Sequence, residues 1–121
     1  GYADQYYVMA QKVRSVYIEN FRQLFEKFDV LISPTSPGYA QKLGATKDNP
    51  MFGELEDLLI EPSSNSGLPG ISVPCHHDEH TNLYLGLNII AAPWQEEKVI
   101  QVAHAYEQNT DWNPWAKESH E

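Results

Sequence analysis

Between Ile71 and Ile90 the chain alternates twice. Ile71, Val73 and Cys75 alternate with Ser72 and Pro74; beyond the polar bridge "HHDEHTN", Leu83, Leu85, Leu87 and Ile89 alternate with Tyr84, Gly86, Asn88 and Ile90. Side chains on a strand point to opposite faces with a period of two. Each run therefore reads as a strand, and the pair as a hairpin or as neighbours in one sheet, with the polar bridge as the connecting loop. This constrains the fold more than any other feature, because an apolar sheet face must be covered by another layer.

Helical patterns supply the cover. From Ala3 to Phe28, Tyr6, Ala10, Val13, Tyr17, Phe21, Leu24 and Phe28 recur at steps of three and four, the spacing of a helix face packed on a core. "PWQEEKVIQVAHAYEQNT" repeats the pattern with Val99, Val102, Ala103 and Tyr106, and Glu96 and Glu97 suit its positive N-terminal end. Asp29 to Ser33 is a short apolar run, read as a buried strand stopped by Pro34 and Pro37. Residues 38 to 50 read as loop, Met51 to Leu59 as a short helix, and Pro62 to Gly70 as turn-rich chain with one helical turn at Ser64 to Gly67. The tail bears Trp112 and Trp115, expected to dock back onto the body. The fold class is α/β.

A chain of 121 residues with 41% hydrophobic content supports one core and not two. It lacks an initiator Met, an expectation of a piece of a longer protein, and it shows neither a long apolar run nor a signal-peptide pattern, so no membrane association is expected and the cytoplasm is the expected compartment. A single cysteine forms no intrachain disulfide. The formal net charge of -9 repels phosphate, so the chain is a poor candidate for gripping nucleic acid itself.

The stretch "GELEDLLIEPSSNSGLPGISVPC" has the ingredients of a hydrolase site. Ser63 and Ser64 lack a G-x-S-x-G elbow, and serine beside Pro, Asn and Gly is ordinary turn chemistry. Cys75 is followed by His76, but neighbours on a strand face opposite ways, so Cys75 reads as a buried structural cysteine. His76, His77 and His80, with Asp78 and Glu79, have metal-binding residue types in a segment read as a solvated loop, without the fixed geometry a metal site needs. Asp57 precedes the Gly/Pro turn, where a carboxylate can pair with an ammonium group; read from the residues alone, it is an exposed acid near a helix end.

The run "GYADQYYVMAQKVRSVYIENFRQLFEKFDVLISPTSP", continued by "LEDLL", "SGLPGISVPC", "LGLNII" and "VAHAYEQNTDW", resembles the C-terminal region of the A subunits of aspartyl/glutamyl-tRNA amidotransferases, within the amidase signature family. The resemblance covers nearly the whole chain. It implies an amidase signature fold, a mixed β-sheet flanked by helices, of which residues 1–121 form the C-terminal portion. It also implies that the whole protein hydrolyses glutamine and passes ammonia to a B subunit, which uses ATP and magnesium to amidate Glu-tRNA or Asp-tRNA, with a C subunit joining the two. On this resemblance the chain needs no cofactor of its own, and tRNA is met only through the partner.

The family's catalytic Lys and two serines lie in a Gly/Ser-rich signature that this sequence lacks, so the resemblance implies no catalytic residue here. It carries over one substrate-binding residue, Asp57, onto the family's aspartate that holds the amino group of glutamine. The sequence departs from the family pattern at "PSSNSG", at His76 and His77 after Cys75, and at Asn88, where the family has Gln. Two further readings stand beside this one: another amidase signature hydrolase, and a non-catalytic module that binds a partner.

Overall fold

The computed structural model describes residues 1–45, 47 and 51–110. Its elements are α1 (Tyr2–Phe25), β1 (Val30–Pro34), α2 (Met51–Glu56), α3 (Glu61–Asn65), β2 (Gly70–Asp78), β3 (Leu83–Ala91) and α4 (Glu96–Gln108). The strands form one sheet in the order β1-β3-β2. Both pairings are antiparallel, with Ile89 opposite Ile32 on one side and Ile71 on the other. The tryptophans of the tail lie outside the described residues.

β3 is central because its last four residues, Asn88 to Ala91, are buried on both faces of the sheet. Alternation sorts the rest. Val73, Leu87 and Ile89 face α4, where Ala103, Val102 and Tyr106 close over them to make the core. The opposite face carries Ser33, Asn88 and Ser72 in one register row across all three strands. The sheet thus has an apolar face and a hydroxyl-rich face, as period-two alternation dictates.

Four expectations change. Among the described residues β1 is an edge strand, paired on one side only, and Ile32 is 58% exposed rather than buried. Pro34 belongs to β1, which an edge tolerates because a missing N–H breaks no ladder on the open side. The bridge 76–82 is not all loop. β2 runs on to Asp78 and leaves a short turn, with Asn82 in the left-handed region at φ 55°, a conformation that asparagine tolerates. In addition, α1 is a helix as expected, yet none of its residues is buried, and Tyr6 and Val13 on the expected core face are 60% and 44% exposed. Phe21 and Phe25 are half-buried and line a groove with Leu68, Ala92 and Pro93, which is where α1 meets the body.

The exposed face of α1 is held by ion pairs. Arg22 Nε and Nη2 donate to Glu19 at 2.9 and 2.8 Å, Gln23 donates to the same carboxylate at 2.9 Å, and Arg22 also pairs with Glu26. The Arg22 bonds, with help from Gln23, pull the Glu19 carboxyl from 4.5 to about 2. A depressed carboxyl stabilises the folded state above its ordinary pKa, and that contribution fades as pH falls from 4.5 through about 2. Carboxyl-carbon NMR is expected to place the Glu19 midpoint near 2, moving upward in high salt as the exposed pair is screened. A midpoint at 4.5 in low salt would contradict the Arg22 pairing.

Candidate functional site

α3 and the hydroxyl-rich sheet face build the site. The helix ends in a Schellman closure: Gly67 N donates to Ser64 O at 3.1 Å and Leu68 N to Ser63 O at 3.1 Å, with Gly67 at φ 70°. That left-handed glycine turns the chain sharply into β2 and sets α3 beside the sheet. The short helical turn expected at 64–67 is present but begins earlier, at Glu61.

A cleft of about 280 Å³ lies between them, lined by Ser63 and Ser64 of α3, Thr35, and Ser72 and Asn88 of the sheet. Thr35 Oγ1 and Ser72 Oγ share a hydrogen bond of 2.6 Å. They meet above Gly86, where an added Cβ would stand 2.5 Å from Ser72 Oγ and 2.7 Å from Thr35 Oγ1. Glycine at position 86 is therefore a condition of the hydroxyl pair. Asn88 is 7% exposed and its Oδ1 lies toward Gly70, 3.7 Å from where a Cβ on that glycine would be.

Ser63 and Ser64 behave as turn residues. Ser63 is buried, and its hydroxyl donates to Ile60 O at 2.8 Å. Ser64 is exposed on the rim. Among the described residues no Lys, His or carboxylate is hydrogen-bonded to either, and a serine needs such a base to attack.

Asp57 sits in the turn between α2 and α3. Its carbonyl accepts from Ile60 N at 3.1 Å and Glu61 N at 2.9 Å, which fixes the start of α3. Its carboxylate is exposed and makes no hydrogen bond to another described residue. The turn places it one helical turn before Ile60, which lines the hydroxyl cleft, but Asp57 itself is not in that lining.

Cys75 is half-exposed rather than buried. It is the extra residue of a β-bulge: Pro74 pairs with Gly86 and His76 with Leu85, leaving Cys75 without a partner across the ladder. The histidines are dispersed by the strand. His77 stacks on Tyr84 with ring centres 4.4 Å apart, and its Nε2 shares a 2.8 Å hydrogen bond with Asn82 Oδ1. His76 instead lies near the ring of Tyr39, at 6.4 Å. Asp78 closes the turn, accepting from Thr81 Oγ1 at 2.6 Å and from the backbone N–H of His80 at 3.2 Å, and these bonds lower its carboxyl pKa, the Thr81 hydroxyl foremost. Among the described residues no three His, Cys, Asp or Glu side chains gather as a metal site would need.

Comparison with known proteins places this geometry. The amidase family model matches residues 1–100. The chain is 49% identical over 113 residues to the A subunit of glutamyl-tRNA(Gln) amidotransferase from Synechococcus sp. (strain JA-2-3B'a(2-13)), covering 93% of this chain and 22% of that protein. It is 44% identical over 113 residues to the protein of the same name from Nostoc sp. (strain PCC 7120), covering 93% and 23%. The chain thus spans less than a quarter of the length of these curated relatives. Among solved structures, the A subunit of glutamyl-tRNA(Gln) amidotransferase from Thermotoga maritima superposes with a TM-score of 0.85 at 33% identity, over 93% of this chain and 24% of that one. A chain from a vestigial protein complex connected with the origins of an s-triazine catabolic enzyme superposes with a TM-score of 0.73 at 28% identity, over 86% of this chain and 24% of that one. Matched by the family model over residues 1–100 and superposing on a solved relative with a TM-score of 0.85, the chain belongs to the amidase family.

Proposed function

We propose that this chain is the C-terminal part of the glutamine-hydrolysing A subunit of a tRNA-dependent amidotransferase. The observation that carries the reading is the 49% identity over 113 residues to the A subunit of a glutamyl-tRNA(Gln) amidotransferase. The chain is 28% identical to the chain from the s-triazine-related complex, and with the amidase family match this ranks another amidase family hydrolase second. In this reading the whole protein releases ammonia from glutamine, and B and C subunits complete the transfer to Glu-tRNA or Asp-tRNA, with ATP and magnesium used by the B subunit.

The chain's own part is substrate positioning. Asp57 offers an unpaired carboxylate to the amino group of glutamine, while the nucleophile and its base come from residues outside this sequence. The charge of -9 agrees with tRNA being held by a partner rather than by this chain. Among the described residues no helix is long and apolar enough to cross a membrane.

Ammonia release from glutamine tests the reading. The complete polypeptide in its assembly is expected to turn glutamine over, and residues 1–121 alone to release none. Turnover by the isolated chain would show a nucleophile within it. A complete polypeptide that hydrolyses other amides and leaves glutamine untouched would move the assignment to another amidase.

A further inference from the structure

Asparagine in the middle of a buried strand is a cost unless its amide is satisfied. Asn88 is only 7% exposed, and among the described residues its carboxamide makes no hydrogen bond. It lines the cleft that also holds the Thr35–Ser72 hydroxyl pair. The cleft wall includes no charged side chain. These features describe a polar site lacking one partner.

We propose that Asn88 is the recognition residue of a subsite for an uncharged primary carboxamide. A side-chain amide offers an acceptor oxygen and two N–H donors, and a second carboxamide is its complement, N–H to Oδ1 and C=O to Nδ2. The hydroxyl pair adds adaptable partners: one hydroxyl hydrogen lies between Thr35 Oγ1 and Ser72 Oγ, and the other remains free to donate. An ion fits poorly, because an uncharged wall desolvates it without a counter-charge. Gly86 belongs to the same design, since any Cβ there would push the two hydroxyls apart. The choice of a carboxamide as ligand rests on the glutamine reading, whose substrate ends in that group; the unpaired amide in an uncharged cleft stands without it.

The test is a titration of the complete polypeptide with propionamide, read from the side-chain NH₂ signal of Asn88 in ¹H–¹⁵N spectra, with propionate as the charged control. The expected result is a saturating shift with propionamide, little with propionate, and at least tenfold weaker binding in the isosteric variant Asn88→Asp, read there from the backbone amide signals of residues 88 and 72 because the variant has no side-chain NH₂. No shift with propionamide would overturn the proposal, since the cleft is then filled by other parts of the protein. An equal response to propionate would overturn it as well. Glutamine turnover measured on the same sample separates the two readings. Turnover without an Asn88 shift removes the subsite and keeps the glutaminase; a shift without turnover keeps the subsite and removes the glutaminase. If Asn88→Asp fails to fold, the titration of the unaltered protein decides alone.

Discussion

Alanine at position 89 is expected to destabilise the fold by about 2–5 kcal/mol, the range found when a buried aliphatic side chain is truncated and a cavity is left behind. Ile89 is fully buried, at 0% exposure, and is the largest side chain so enclosed among the described residues. It stands on the central strand, paired with Ile32 and Ile71, and packs in one cluster with Val73 and Ala103. The neighbours cannot collapse into the gap, because Ile71 and Val73 are held in register by the β2–β3 ladder. Ile100 serves as the comparison: it lies on α4 at 60% exposure, and its truncation is expected to cost about 0.5 kcal/mol or less. Denaturant midpoints for the two variants check the contrast. Equal losses would mean that the core is not centred on β3.

Asp57→Asn is expected to raise KM for glutamine and to lower kcat/KM by at least about tenfold in the complete polypeptide, the scale of a lost charge-assisted hydrogen bond. The substitution keeps the shape and removes the charge. It also leaves in place the Asp57 carbonyl that receives Ile60 N and Glu61 N, so the start of α3 stays closed. A change confined to the side chain's pairing should therefore leave stability unaltered. Kinetics identical to the parent would remove Asp57 from substrate binding, and a parallel loss of stability would reassign it to holding α3.

The layout of the sheet is legible in the sequence because alternation is a local signal. Leu83 to Ile90 announce β3, and Val99, Val102, Ala103 and Tyr106 announce the face of α4, which covers the sheet. The same reasoning places Tyr6 and Val13 in a core, and the structure leaves both exposed. Periodicity tells which residues share a side of a helix; it does not tell which surface lies against that side. The bulge is hidden for a related reason. Nothing in "ISVPCHHD" marks Cys75 as the extra residue, because a bulge is a property of two strands counted against each other. The site is half visible. Asn88 is a polar residue within an apolar run, whereas the meeting of Thr35 with Ser72, 37 residues apart, depends on the β1-β3-β2 order that no local pattern encodes.

The unpaired residue at Cys75 has a consequence for how this hairpin can change over time. Below it, Ile71 and Val73 keep step with Ile89 and Leu87 and answer to the core. Above it the count is offset by one, so that His76 takes the side Cys75 would have held and His77 takes the side of Tyr84. β2 thus has two halves out of step by one residue, a base tied to the core and a tip beyond it, both laid against an unbroken β3. Deleting Cys75 would close the bulge while leaving Pro74 opposite Gly86 and His76 opposite Leu85, so the phase on which the buried strands depend is left untouched.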